Sequence, residues 1–448
     1  MDIPGSISRV PLPMGRSLGT RAFTNTCTAP NRLRPHARDD DQSVQGTASK
    51  SSPMSLRVLQ LNTLLTGGGT DDQCVKLAAG LHRAGVEVSL AGPDGREFSA
   101  VAKRLGVPLF DTGSEGWIKL RYIAVVARLI RKHRIQIVHG HHGRDYWPTI
   151  LSALCSGRRP RIVLTRHLAK SPGSWPGRWL ILGLCDALVA CSNFVAKVLR
   201  EGDADRKSPE VERHWRPPMR GNHSKIRVIY GGFELEHFQP VEPTSPAVAA
   251  MRQSWGVDPG QFVFGVVGGH MLPRGKGQRE FLAAAAQVRE QVPHARFLIL
   301  GRGNMGEVLE QDIARLGLAG LARLPGYCTD MPTAMNALDC VVHPQIGTEA
   351  MPGVVIEAHA CGRPVIASAL DGIPEAFAMG GLGELVPSED VPALARAMEA
   401  VALRLRPTMT DRRTVHDRVA ARMSLERYVS DTLALYLELL ERHRSTTE

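Results

Sequence analysis

The chain has 448 residues, of which 43% are hydrophobic and 22% charged, a composition that excludes a wholly disordered or collagen-like protein. Its 55 Lys and Arg residues exceed its 44 Asp and Glu residues by 11, which favours anionic partners such as phosphates or acidic lipids. No apolar run reaches the roughly 18 residues of a membrane span, and an aromatic content of 5% disfavours nucleic-acid binding by base stacking. Eight cysteines without a C-x-x-C pair indicate buried thiols in a reducing compartment.

Residues 1–54 differ from the rest of the chain. They are rich in Ser, Pro, Arg and Thr and show no apolar periodicity, so we predict that they are disordered. The arginines that precede Asp39 faintly resemble an organelle transit peptide. We favour a non-folding tail, or a start codon set too early with Met54 as the true start.

From Leu56 onward, predicted strands alternate with predicted helices. A strand at 57–62, a glycine-rich turn at 66–71, a helix at 72–84 and a strand at 86–91 form a βαβ unit. Further strands of this first series are predicted at 135–139, 161–165, 187–190 and 226–230. The polar segment 201–224 is predicted to be a surface loop. A second series has a helix near 278–291 and strands at 262–267, 296–300, 340–343 and 364–368.

Strands that alternate with helices form parallel, doubly wound sheets. The two series therefore predict an α/β protein with two Rossmann-like domains that face a cleft. We place the first domain at 55–235 and the second at 236–423, followed by a final helix within 424–448.

Several candidate segments lie in the first domain. Gly68 and Gly69 let the backbone approach a ligand closely, although glycine-rich βα turns are common. The helix at 117–134 is apolar with basic residues; a sheet-packing helix is the simpler interpretation, and an anionic membrane surface is the alternative. Histidines follow two strands, so they are expected at the edge of the cleft. A zinc site is conceivable for His139, His141 and His142, but hydrogen-bonded loop histidines are commoner, and for His167 a site role and a packed role are equally supported.

The second domain carries two phosphate-binding candidates. In the segment 268–278, Arg274 and Lys276 follow a buried strand and would reach a diphosphate in the cleft, the alternative being a solvated loop. The segment 301–306 is a literal G-x-G-x-x-G, but no acidic residue follows at the distance that dinucleotide binding requires. We therefore interpret 301–306 as a tight structural turn.

The most informative segment is 347–368. Pro352 and Gly353 open a predicted helix whose first N–H groups, including that of Val354, would seat a phosphate. Glu349 lies in the loop before this helix, where it would hold a sugar hydroxyl, and Glu357 lies one turn inside it, where it would hold the ribose. Two glutamates taken alone would instead favour a solvated loop acid and a helix-dipole partner.

Together these segments resemble the retaining glycosyltransferases of family 4, whose two-domain fold is called GT-B. The strongest match is the E-x7-E pair of Glu349 and Glu357, followed by Ala-x-Gly-x-Pro-Val at 360–365. The segment 228–238 resembles another family motif, and the resemblance extends from about residue 56 to residue 443. One departure is Met271, where the family commonly has an arginine that forms a two-cation clamp with the lysine.

The resemblance implies transfer of a sugar from a UDP-, GDP- or ADP-sugar to an acceptor hydroxyl, with retained anomeric configuration and with no metal or other cofactor. It assigns the catalytic roles to His167, Glu349, Lys276 and Arg274. It assigns donor binding to Gly68, Gly69, Gly268, Gly326, Tyr327, Pro352, Gly353, Val354 and Glu357. It places His141, His142, Arg144 and Asp145 on the acceptor side. The final helix is expected to cross back to the first domain.

The histidine segments look most like bacterial enzymes that build lipopolysaccharide core or related surface glycans. We therefore expect a glycan or lipid-linked acceptor, no nucleic acid, and a cytoplasmic enzyme held at an anionic membrane through residues 117–134. Two alternatives stay open. One is a non-catalytic nucleotide-sugar-binding relic, suggested by Met271 and by Asp71 in place of the usual glutamate. The other is an NAD-dependent oxidoreductase that uses 301–306.

Overall fold

The computed structural model describes residues 56–113, 120–202, 217–273 and 275–447, with side chains up to residue 442. The predictions made for residues 1–54 and for Arg274 lie outside the described residues. So do parts of two other predicted segments, the loop at 201–224 and the basic helix at 117–134.

The first domain contains a sheet of parallel strands flanked by helices. Its strands are β1 Arg57–Leu61, β2 Glu87–Gly92, β3 Leu109–Asp111, β4 Ile137–Gly140, β5 Arg161–Arg166, β6 Ala187–Ala190 and β7 Ile226–Val228. Its helices are α1 Gly69–Arg83, α2 Glu97–Arg104, α3 Leu120–Lys132, α4 Tyr146–Cys155, α5 Trp175–Leu184 and α6 Asn193–Glu201. The strand order is β3-β2-β1-β4-β5-β6-β7, so the chain reverses direction across the sheet between β1 and β4.

The second domain repeats this plan. Its strands are β8 Phe262–Val267, β9 Ala295–Leu300, β10 Ala322–Gly326, β11 Cys340–His343, β12 Val365–Ser368 and β13 Gly383–Val386, in the order β10-β9-β8-β11-β12-β13. Its helices are α7 Pro246–Ser254, α8 Gln278–Val288, α9 Gly306–Arg315, α10 Met331–Ala337, α11 Gly353–Ala360, α12 Ile373–Gly380, α13 Val391–Arg404 and α14 Met409–Met423. They are followed by a long helix, α15 Leu425–Thr447. The reversal falls between β8 and β11. The predicted fold class, with two doubly wound parallel sheets, is confirmed.

The sequence pattern identified the central strands and missed three short ones at the sheet edges, β3, β10 and β13. Each missed strand is partly exposed along its length, whereas β4, β6, β11 and β12 are buried at every position. A central parallel strand is an unbroken apolar run because helices cover both its faces. An edge strand lacks that signal because one side remains in water.

Two crossings of the chain lie side by side between the domains. Phe233 pairs with Ser424 as a parallel β-bridge. The N–H of Phe233 donates a hydrogen bond to the carbonyl of Met423, and its carbonyl accepts one from the N–H of Leu425. Helix α15 then packs on α1, where Tyr428 and Tyr436 are buried in the core of the first domain. The C-terminal helix is thus a structural part of the first domain.

Candidate active site

Many of the predicted site residues lie at the two switch points of the sheets. The loop at 62–68 follows β1 and His141 follows β4, while Gly268 follows β8 and the loop that carries Glu349 follows β11. In open α/β sheets, ligands bind outside the carboxyl ends of the strands where the strand order reverses. Both domains therefore offer their binding edge to the same cleft.

The N-terminus of α11 forms one wall of the cleft. The N-terminal cap is Pro352, which has no side-chain group to bond the first amides, so the N–H groups of Gly353 and Val354 are left for a ligand. The preceding loop is fixed to the other domain, because Ser192 at the start of α6 donates a hydrogen bond of 3.0 Å to the carbonyl of Ala350. The two free amides of Gly353 and Val354, here called the anion seat, are suited to hydrogen-bond an anion.

Lys276 lies against the loop that carries Glu349. Its Nζ is 3.2 Å from Oε2 of Glu349, and both side chains are partly exposed. The loop is held from below, because the N–H of Glu349 donates to the Asp371 carboxylate and its carbonyl accepts from the N–H of Gly372. Gly268 has φ +145, and a Cβ there would come within 3.3 Å of the Lys276 side chain, so glycine leaves the lysine its path.

Glu357 is enclosed at the base of the cleft, with Lys76 and Asp72 of α1 as its charged neighbours across the gap. Burial raises its pKa to about 7, an effect that Lys76 opposes and Asp72 reinforces. Lys76 is itself bonded to Asp72 at 2.9 Å. The pKa of Glu357 is thus well above the ordinary value of a solvated glutamate, and Glu357 forms no ion pair with any residue that the structure describes.

Three buried polar atoms in the segments at the ends of β8 and β11 were not predicted from the sequence. Nδ1 of His270, Nε2 of His343 and Oε1 of Gln345 have no hydrogen-bond partner among the described residues. Burial lowers the pKa of His343 to about 3, and the Lys276 charge acts in the same direction. Unsatisfied buried polar atoms are rare in folded proteins, so these three atoms are suited to bind a polar ligand.

Gly326 and Tyr327 lie at the end of the edge strand β10, which β9 and β8 separate from β11. Tyr327 is 58% exposed, and the Arg302 guanidinium lies 4.0 Å from its ring centroid. They line a groove of about 380 Å³ together with Leu300 and Trp255. An exposed aromatic ring beside a groove is suited to a flat ligand group.

The segment 301–306 has a packing role. A Cβ on Gly301 would come within 2.1 Å of the Gly268 carbonyl oxygen, and one on Gly303 within 1.9 Å of that of His270. Both glycines are therefore required where this turn lies against the turn after β8. The structure supports the interpretation of 301–306 as a tight structural turn.

The first domain places an Asp–His pair on the opposite wall. Oδ1 of Asp71, at the start of α1, lies 2.7 Å from Nε2 of His142 and also accepts a bond from Asn62. Burial disfavours the Asp71 carboxylate, but hydrogen bonds from His142, the Gly67 amide and Asn62 outweigh it and lower the pKa. Nearby, a Cβ on Gly68 or Gly69 would meet nothing within 4 Å, so open space adjoins the turn.

Three histidines stack behind this pair. The rings of His139 and His141 have centroids 4.3 Å apart, and those of His141 and His167 are 6.0 Å apart. Burial lowers the pKa of His139 and of His167 to about 3, and that of His141 well below its usual value. The three imidazoles are therefore neutral at physiological pH.

The partners of these histidines lie far away in the sequence. Nδ1 and Nε2 of His139 lie 2.6 Å from the hydroxyls of Tyr436 and Thr165, and Nε2 of His141 lies 2.6 Å from Oε1 of Gln60. Tyr436 also accepts from Gln60. His139 and His141 thus take part in hydrogen bonds with different partners. Nδ1 of His141 and Nε2 of His167 have no partner in the described part of the chain.

The remaining acceptor-side candidates separate. Arg144 is exposed at the edge of the cleft. Asp145 is completely buried, and its carboxylate accepts bonds from Thr63 and from the amide of His142. The side chain of Asp145 thus holds two loops together and does not reach the cleft.

One contact between the domains was also missed. The Glu375 carboxylate, at the start of α12, accepts hydrogen bonds from the amides of Asn193 and Phe194 and from the hydroxyl of Tyr230. It thereby caps α6, which belongs to the other domain. No local pattern in the sequence indicates a capping residue supplied from 182 positions away.

The two halves of this cleft match two family models. Residues 67–211 match Glycosyltransferase Family 4, and residues 261–403 match Glycosyl transferases group 1. With both halves matched in the expected order, the chain belongs to the family 4-like glycosyltransferases.

Similar curated proteins add detail. A phosphatidyl-myo-inositol mannosyltransferase of Mycolicibacterium smegmatis is 36% identical over 28% of this chain and 32% of its own length. A 2-deoxystreptamine N-acetyl-D-glucosaminyltransferase of Streptomyces fradiae is 32% identical over 43% and 45% of the two chains. A D-inositol 3-phosphate glycosyltransferase of Saccharomonospora viridis is 31% identical over 49% and 52%. The chain thus spans about a third to a half of these relatives.

Solved structures agree on the fold. A glycosyltransferase from Rickettsia africae has a TM-score of 0.74 at 19% identity and covers 87% of this chain and 99% of its own. Anabaena HepE, solved with UDP and glucose, has a TM-score of 0.67 at 20% identity, with coverage of 85% and 99%. The fold is GT-B. In the part of the chain that the structure describes, no helix combines the length and apolar character that a bilayer span requires.

Proposed function

We propose that the protein transfers a sugar from a nucleotide-diphosphate sugar to a hydroxyl of a glycan or glycolipid, with retention of the anomeric configuration. The observation that carries this proposal is the union of Lys276, Glu349 and the uncapped start of α11 at the switch point of the second sheet. A cation and free amides at one point suit a diphosphate, and the adjacent carboxylate suits sugar hydroxyls.

The donor would lie along the second domain. Its diphosphate would accept hydrogen bonds from the amides of Gly353 and Val354 and displace Lys276 from Glu349. Lys276 would then stabilise the negative charge that develops on the leaving diphosphate, and Glu349 would be free to bind the sugar. Glu357 would bind the ribose, and Tyr327 would lie beside the base. HepE, which is similar in fold, was solved with UDP and glucose.

The acceptor would enter against the first domain. Nε2 of His167 has no hydrogen-bond partner among the residues that the structure describes, and its ring is neutral, so it would form one hydrogen bond to the transferred sugar and carry no charge. His142, oriented by Asp71, would contact the acceptor. The leaving phosphate would accept the acceptor proton as the new glycosidic bond forms on the same face of the sugar.

Two acceptor classes are worth testing. A lipopolysaccharide-type surface glycan is the class that the histidine segments suggest. A cyclitol is the second class, because the names of the three relatives specify inositol or deoxystreptamine acceptors. Both classes offer a secondary hydroxyl on a six-membered ring to the same site.

The test has two stages. A thermal-shift panel of UDP-, GDP- and ADP-sugars identifies the donor, and incubation of that donor with glycan and cyclitol acceptors follows. Transfer with a product of unchanged anomeric configuration, read by proton NMR coupling constants, is expected. Stabilisation by a nucleotide without transfer or hydrolysis would favour the non-catalytic relic. Stabilisation by NADH alone would favour the oxidoreductase.

A further inference from the structure

Helix α5 exposes a continuous apolar stripe. Adjacent helix positions are about 100° apart, so residues at i, i+1, i+4, i+5, i+8 and i+9 share roughly half of the circumference. On α5 these are also the exposed positions, namely Trp175, Pro176, Trp179, Leu180, Gly183 and Leu184. No polar side chain interrupts the stripe. The opposite side, with Ile181 and Leu182, packs in the core of the first domain.

The exposed side chains are large. Trp175 is 58% exposed and Trp179 45%, and their rings stack with centroids 5.6 Å apart. Leu168, in the loop before α5, is 58% exposed. Five of the thirteen large apolar side chains that are exposed in the described residues lie between positions 168 and 184. A concentrated apolar surface of this kind marks an interaction site.

The surroundings of the stripe are positively charged. Between Asp145 and Asp186 the sequence has no acidic residue and six Arg or Lys residues, of which Arg166 is buried and Arg161 is paired with Asp186. Lys170 and Arg178 flank the start of α5, and the Arg220 guanidinium lies 4.6 Å from the ring centroid of Trp179. Indole rings favour the headgroup level of a bilayer, and Lys and Arg favour anionic lipid phosphates. This combination specifies an anionic bilayer more closely than it specifies a protein surface.

The stripe begins next to the active site. Strand β5 ends at Arg166, His167 follows, and α5 starts at Trp175 on the same edge of the sheet. Arg166 ties the connecting loop down by donating two hydrogen bonds to the carbonyl of Lys170. A surface that contacts the start of α5 therefore lies beside the mouth of the cleft.

Helix α3, the basic helix that the sequence suggested for a membrane, differs in one respect. Several of its apolar residues, among them Tyr122, Ile123 and Val126, are buried against the sheet. The side chains of Arg121 and Arg128 are exposed. Leu120, the first residue of α3, is 83% exposed, but no other large apolar side chain of α3 is exposed in the described residues. The described part of α3 therefore offers a bilayer mainly charge, and charge alone is screened by salt.

We propose that Leu168, Trp175, Trp179, Leu180 and Leu184, here called the α5 anchor, seat the first domain on an anionic bilayer beside the acceptor side of the cleft. The anchor is independent of sugar transfer, and only its use in presenting a lipid-borne acceptor rests on the proposed function. The α5 anchor replaces residues 117–134 as the principal membrane contact.

The test is vesicle flotation of the full chain without donor, with phosphatidylcholine vesicles and with vesicles that also contain phosphatidylglycerol. We expect binding only to the anionic vesicles, and quenching of tryptophan fluorescence by brominated lipids. The double variant Trp175→Ser/Trp179→Ser should bind at least about tenfold more weakly. Leu403→Ser, at a residue of the second domain that is 51% exposed, is the matched control and should bind as the wild type does.

Any of the following results would overturn the proposal. The first is an absence of binding of the wild type to anionic vesicles at low salt. The second is unchanged binding of the double serine variant, or loss of binding in Arg121→Glu/Arg128→Glu, which would return the role to α3. The third is a lipid-free dimer, seen by light scattering, that the double serine variant dissociates; the occupant would then be a second copy of the chain. Thermal melts of every variant verify that it is folded.

Discussion

The two walls of the cleft are built in different ways. On the wall of the second domain, the groups proposed to face the donor are Lys276 and a short segment that holds Glu349 and the first amides of α11. On the wall of the first domain, the histidines are fixed by Gln60 and Tyr436, which lie far away in the sequence. The second-domain wall carries open charge for an anion, whereas the first-domain wall is a neutral, preorganised surface. The comparison shows that most of the candidate donor residues lie in one short segment, whereas the histidine wall depends on contacts between residues that are distant in the sequence.

The largest expected effect is on the second-domain wall. Lys276→Ala should lower kcat about 10²–10³-fold, because one preorganised charge on the leaving diphosphate is lost. Initial rates with the donor found in the panel measure this. Lys103→Ala is the matched control, since Lys103 forms an exposed ion pair with Asp94 on the surface. If kcat of Lys276→Ala fell by less than about threefold, the proposed role of Lys276 in stabilising the leaving diphosphate would be wrong.

On the first-domain wall, His167→Ala should lower kcat about 100-fold through lost positioning of the sugar. Because the pKa of His167 is about 3, its ring stays neutral and the ratio of wild-type to variant kcat should be constant between about pH 5 and pH 8. The measurement is a pair of pH–rate profiles, with exposed His82→Ala as control. A ratio that changes about tenfold across this range would show that His167 titrates and that the wall is not neutral.

Glu357 connects the two walls electrostatically, and its effect is on stability. Its pKa is about 7 in the folded protein, against an ordinary value of 4.5 for a solvated glutamate, so between these values the folded form holds a proton that the unfolded form has released. The free energy of unfolding should therefore fall as pH rises through this range. Relative to Glu357→Gln, we expect the wild type to lose about 2 kcal/mol between about pH 5 and pH 8. Denaturant curves at both pH values measure it, and parallel behaviour of the two proteins would contradict the raised pKa.

The smallest effect concerns the support of the first-domain wall. Tyr436→Phe removes the hydroxyl that bonds His139 and Gln60, and should cost about 1 kcal/mol of unfolding free energy. Binding of the nucleotide donor should stay unchanged, since the second domain is not touched. Denaturant unfolding and the thermal-shift assay report the two quantities separately. A weakened donor affinity would show that the walls are not independent.

The candidate residues of the second-domain wall were largely predictable from the sequence. Glu349, Pro352 and Gly353 lie within a few positions of one another, and a helix start after a buried strand fixes where they lie. The partners of the histidines were not predictable. Tyr436 is one of several apolar positions on a helix, and no periodicity shows that its hydroxyl reaches His139, 297 residues earlier. The same limit applies to Glu375, which caps a helix of the other domain.

The sequence by itself determined the alternation of strands and helices, the two-domain plan and the anion seat, because each depends on neighbours a few residues apart. The tertiary structure decided the edge strands, the neutral histidine stack and the side of α5 that stays in water. Those features depend on which distant surfaces cover a residue, and burial sets the state of a histidine or the use of a tryptophan. Both walls of the cleft are therefore needed to describe the function, although only one of them can be read along the chain.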